Sequence, residues 1–155
     1  MSFTGLDVFD KTLQTTNIWL GELEKRLGAD KRTSWHVLVA VLHALRDRLQ
    51  LGLAVHLGAQ LPILVRGIYY EQWRPAEQPK NWRSEEEFLE AVSEGLRDIR
   101  PVDAKKAATA VFEVLNHFVD PGQIAHVRQA LPTETRTLWP ESNPPLPRAD
   151  HARLS

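Results

Sequence analysis

From its sixth residue the chain places Leu6, Phe9, Leu13, Thr16, Leu20, Leu23 and Leu27 in alternating steps of three and four, which puts them on one stripe of an α-helix. Gly28 ends that helix. A second helix is predicted from about Ser34 to Leu49, with Thr33 or Ser34 as its N-cap and Leu38, Leu42, Leu45 and Leu49 as its core line. Val37, Val39, Ala40, Val41 and Ala44 widen that line until only His36, His43 and Asp47 stay polar. A helix apolar over so much of its circumference is surrounded by others, so this one is expected at the centre. A short helix between Gly52 and Gly58 follows, then one opened by Pro62 and ending near Tyr70, since proline is tolerated where a first-turn N–H lacks a partner.

Pro75 and Pro79 break the pattern and predict a connecting loop, the main internal boundary. Ser84 and Glu87 then have capping-box spacing, and Glu85, Glu86 and Glu87 suit the positive end of a helix dipole. The helix so opened is expected to bury Leu89, Val92, Leu96 and Ile99. Asp103 caps the next, with core line Ala108, Phe112, Leu115 and Val119, and Asp120-Pro121 marks another start. Pro132 opens a last segment to about Trp139, beyond which the prolines between Pro140 and Pro147 predict an extended, mobile tail. No period-two alternation competes, so the fold class is all-α.

Sliding the chain by 70 positions aligns Ala40-Val41 with Ala110-Val111, Leu45 with Leu115, Gly52 with Gly122, His56 with His126, Leu61-Pro62 with Leu131-Pro132 and Arg66 with Arg136. Those eight identities in 27 positions stand against roughly two expected by chance. The pattern predicts a duplicated unit of about four helical segments, repeats at about 6–74 and 84–139 in a single domain 1–141, packed as one bundle, with 142–155 as a disordered Pro-rich tail. The first helix of each copy aligns poorly at this offset.

The run Gln60-Leu61-Pro62 followed by Arg66-Gly67-Ile68-Tyr69-Tyr70 and Trp73, with Val41–Leu49 before it and Leu131–Trp139 after it, resembles the DUF2267 family of bacterial proteins. The resemblance covers roughly residues 9–141. It implies an all-helical, duplicated cytoplasmic protein without an established activity, and brings no catalytic set with it.

Composition narrows the chemistry. The 155 residues contain no cysteine, which removes disulfides, thiolate metal sites and thiol nucleophiles. Lys and Arg number 19 against 20 Asp and Glu, and the two halves carry +2 and −3, so neither offers the basic face that nucleic acid or an anionic membrane requires. The longest uncharged stretch, between Arg48 and Arg66, is broken by Gln50, His56, Gln60 and Pro62 and is too short to span a bilayer. The N-terminus shows no basic region ahead of an apolar one, which predicts no secretory signal and a cytoplasmic location.

Three functions compete. His43 with Asp47, and Glu113 with His117 at the same places in the second copy, stand one helical turn apart and could each hold one ion. Two ligands per helix fall short of a specific site, so the bland reading is a solvated or interhelical polar strip and no cofactor. No nucleophile elbow or phosphate-cradling glycine loop supports an enzyme. The candidate interaction surface is Arg66, Tyr69, Tyr70 and Trp73 with Arg136 and Trp139, because Tyr, Trp and Arg dominate interface hot spots. The pairing of Tyr69 with Trp139 in the repeat also fits a packing role. The leading expectation is therefore a non-enzymatic module for binding a protein partner or a second copy. A carrier or sensor of a small apolar ligand held between the two units is the first alternative, and a metal-dependent enzyme on the His/Asp strip the second.

Overall fold

A computed structural model describes residues 2–99 and 101–146. Among the described residues eight α-helices follow one another: α1 (Asp7–Leu27), α2 (Lys31–Arg48), α3 (Leu51–Ala59), α4 (Ile63–Tyr70), α5 (Glu85–Gly95), α6 (Ala104–Phe118), α7 (Pro121–Ala130) and α8 (Thr133–Arg136). Among the described residues there is no strand, and no helix is long and apolar enough to cross a membrane. A 3₁₀ turn, Pro75–Glu77, sits in the loop between α4 and α5.

The starts and stops follow local chemistry. Gly28 adopts a left-handed conformation (φ 66°) and its N–H returns to the Glu24 carbonyl, closing α1. Ser84 and Glu87 form both halves of the capping box, and the side chains of Asp103 and Asp120 accept backbone N–H groups at the heads of α6 and α7. The head of α2 departs from expectation. Asp30, not Thr33 or Ser34, is its N-cap and accepts the Thr33 N–H at 2.8 Å, so α2 begins at Lys31. Ser34 is instead buried inside the first turn, its hydroxyl without a hydrogen-bond partner.

α2 is the central helix. It packs against α1, α4, α5 and α6, and Leu38, Leu42, Leu45 and Leu49 are buried. Ala108, Phe112, Leu115 and Val119 of α6 form the matching line. An aromatic column of Trp82, Phe88, Phe112 and Trp139 passes through the second half, its innermost pair stacked at 4.2 Å with planes 3° apart.

Two expected stripes are shorter than the sequence pattern. α5 ends at Gly95, so Leu96 is buried from beyond the helix, Leu89 and Ile99 are half-buried, and Phe88 takes the innermost place. A Cβ on Gly95 would lie 2.8 Å from the Cβ of Ala40, so the close approach of α5 to α2 depends on glycine there. α1 is the larger departure. Leu20, Leu23 and Leu27 are buried, but Leu6, Phe9 and Leu13 of the same stripe are exposed.

The tail expectation divides at residue 146. Asn143 bonds to the Glu113 carbonyl and to Asn116, pinning the stretch after Trp139 onto α6. Residues 147–155 lie outside the described residues.

Candidate functional site

The expected surface is built around a buried arginine. Arg46 lies on α2 at 3% exposure, and its guanidinium donates to the carbonyls of Tyr69 (2.7 Å) and Glu71 (2.8 Å) and to the Asp47 carboxylate (2.9 Å). Those two carbonyls belong to the end of α4, where no intrahelical donor remains, so the arginine serves as its C-terminal cap. The Trp73 ring lies 6.0 Å from the same guanidinium. The Trp73 indole donates to Gln78 at 3.1 Å, and the Gln78 amide donates in turn to the carbonyls of Arg46 and Leu49 at the end of α2. His43, one turn before Asp47, donates from Nε2 to the Ile68 carbonyl at 2.6 Å. Burial pushes its imidazole below the usual histidine range, with the hydrogen bond pulling the other way.

Tyr69, Tyr70 and Trp73 belong to this hub, whereas Arg66 bonds at the end of α3, Arg136 at the end of α7 and Trp139 to Asn116. Tyr69 and Trp139 are 0% and 1% exposed and cannot contribute to a surface. The Tyr69 hydroxyl donates to the Ala54 carbonyl (2.6 Å) and the Trp139 indole to Asn116 (2.7 Å); burial drives the Tyr69 phenol upward and keeps it a donor. Arg66 donates to the carbonyls of Gly58, Ala59 and Leu61, and Arg136 to those of Gln129 and Leu131, capping α3 and α7. Tyr70 and Trp73 are half-buried, packed on each other with ring centroids 5.4 Å apart. The aromatic run therefore fastens the α4–α5 connection to α2.

The strip His36, His43 and Asp47 is half-buried rather than solvated. Glu113, half-buried, faces Arg26 at 3.4 Å, and burial raises its carboxyl despite that arginine. Among the described residues no three His, Asp or Glu side chains converge as a ligand set for a metal ion. His56 and His126 are both exposed, on α3 and α7.

A row of exposed apolar side chains runs along α1, and others stand on α3 (Leu51, Val55) and α4 (Ile63, Leu64). Trp19 stacks on Phe118, the last residue of α6, at 4.8 Å, and Arg26 faces Glu113, so the two helices run antiparallel. α1 has 21 residues and α6 has 15, about 31 and 22 Å at 1.5 Å per residue. The residues of α1 ahead of Trp19 consequently run past the end of α6. This overhang carries Leu6 at 49%, Phe9 at 58% and Leu13 at 41% exposure, and Phe3 ahead of it at 93%. Asp10 accepts the Thr4 N–H at 2.8 Å and the Ser2 hydroxyl, which folds the N-terminal turn back along the helix and holds its carboxyl below the usual range. Between that turn and the helix lies an open depression of about 600 Å³, lined by Phe3, Asp10, Leu13, Gln14, Asn17 and Ile18. It is on the outside of the bundle, not between helical layers.

The helical architecture places the chain among all-α proteins. It belongs to the family described as an uncharacterised conserved protein, DUF2267, whose pattern it matches over residues 16–138. No curated protein matches the chain. The matched region begins at Thr16, the first buried residue of α1, so the exposed stripe from Leu6 to Leu13 lies ahead of it.

Proposed function

We propose that this protein is a non-enzymatic interaction module that engages a protein partner through the overhanging N-terminal half of α1. The observation that carries this reading is the contrast along one helix stripe, buried from Thr16 onward and exposed at Leu6, Phe9 and Leu13. Scattered apolar side chains are ordinary on a surface, but a contiguous row at core spacing is a docking feature. Tyr70 and Trp73, with every polar atom of their rings already bonded inside the chain, are left to a structural role. The test is a photo-crosslinking amino acid in place of Leu13 in living cells. A covalent adduct from that position, absent when the same group replaces exposed Val55 on α3, is the expected result; no adduct from position 13 refutes the reading.

We further propose that the body is a duplicated unit in one domain. The offset of 70 residues relates the ends of α2 and α6, the whole span of α3 to that of α7, and the start of α4 to that of α8. Arg66 and Arg136 cap equivalent carbonyls under the same offset. The packing is reciprocal: α1 lies against α6 as well as its own α2, and α5 against α2 as well as its own α6, so each unit's first helix touches both central helices.

A further inference from the structure

We infer that the partner of the α1 overhang is a second copy of this chain, bound antiparallel about a two-fold axis, an inference that rests on the overhang being an interaction surface at all. The stripe is the starting point. Steps of three and four from Leu6 through Leu27 are the a/d spacing of a helix that packs along another helix. α2, α4 and α6 pack against α1, whose stripe is buried from Thr16 onward, whereas Leu6, Phe9 and Leu13 of the same stripe are exposed. A partner helix is the shape that covers them.

Direction follows from sterics. Because the chain's own helices bury that stripe from Thr16 on, a parallel partner would drive its own body into this one just past Leu13. An antiparallel partner leaves toward the N-terminus and places the two bodies at opposite ends. Leu6 of each chain then lies opposite Leu13 of the other, and the two Phe9 rings meet at the axis. The pairing is isologous, so one stripe supplies both halves of the interface.

Area and charge agree with this occupant. Leu6, Phe9 and Leu13, with Phe3 ahead of them, expose on the order of 450 Å² per chain, so two copies bury roughly 900 Å² of apolar side chain, the size of a weak and reversible interface. A net charge of −1 sets little repulsion between copies. Asp7 and Lys11 project on the helix face opposite Phe9, and Asp10, nearest the seam, has its carboxylate turned back onto Ser2 and Thr4.

Sedimentation equilibrium of the full chain across the micromolar range, with Phe9→Asp and Ile63→Asp beside it, tests the inference. Expected are a reversible dimer for the wild type, a dissociation constant raised about 30-fold or more by Phe9→Asp, and no change from Ile63→Asp, an equally exposed residue on α4. Phe9 is exposed, so circular dichroism is expected to match the wild type, and the thermal midpoint to match it at concentrations where both are monomeric, which rules out misfolding as the cause. A dimer indifferent to Phe9→Asp overturns the inference. A monomeric wild type whose position-13 crosslinker captures a different protein in cells overturns it too, but leaves the interaction reading standing. A monomer with no adduct from position 13 overturns both.

Discussion

Arg46 shows how a single side chain can organise two connections at once. Its guanidinium closes the end of α4 while its own carbonyl accepts the Gln78 amide that holds the following loop. Replacing it by leucine keeps the volume of the aliphatic stem but strands two carbonyls in a buried site. Arg46→Leu is expected to cost about 2–4 kcal/mol in urea denaturation, far more than a surface arginine. His43 makes a pH-dependent contribution. Its folded pKa is depressed by burial, so below its ordinary value of 6.5 the unfolded chain takes up the proton first. The stability that the neutral ring provides is present above pH 6.5 and is lost as the pH falls toward the folded value. Glu113 has a raised pKa and acts in the opposite sense in acid, the folded state binding its proton first. Comparing wild type with His43→Gln at two pH values, one on each side of 6.5, cancels the glutamate; the wild type is expected to lose relative stability on acidification. In the sequence the three polar positions on α2 were visible, but Arg46 was not singled out. Nothing local marks an arginine whose partners are carbonyls more than twenty residues away.

At the scale of the element, helix boundaries were legible wherever their cause is local. The capping box at Ser84, the Asp120-Pro121 start and the Gly28 stop all act within a turn of themselves. Ser34 failed as a cap because Asp30, four residues earlier, already provided a carboxylate with the right reach. What periodicity could not show was where a continuous stripe ceases to be core. That depends on the length of α6, far along the chain, and the stripe itself does not change character between Leu13 and Leu20. The difference is measurable: Leu23→Ala is expected to cost about 2–5 kcal/mol as a core truncation and Leu13→Ala no more than about 0.5 kcal/mol in the monomeric protein, both read from denaturant midpoints. Tyr69 and Trp139 dropped out of the candidate surface for a related reason. Composition identifies side chains suited to interfaces, and the same properties suit an inter-element hub whose polar tips find carbonyls inside the chain.

For the molecule as a whole, the all-α class and the central position of α2 could be read from its apolar circumference, and the family from the run between Gln60 and Trp73. The packing of α1 on α6 and of α5 on α2 could not, since periodicity within a helix does not say which distant helix will cover it. With each half supplying a helix that covers the other's, neither half holds all of its core contacts. Fragments 1–80 and 81–155, prepared separately, are expected to show much reduced helical circular dichroism and to regain it on mixing; two independently folded halves would contradict the reciprocal arrangement. The same arrangement has a consequence in time. At a synthesis rate of ~5–20 residues per second, roughly 5–20 s separate the emergence of α1 from that of α6, its covering helix. Throughout that interval the part of the leucine seam that α6 covers stays open at the ribosome, where chaperones or a neighbouring nascent copy meet it before its own second half does.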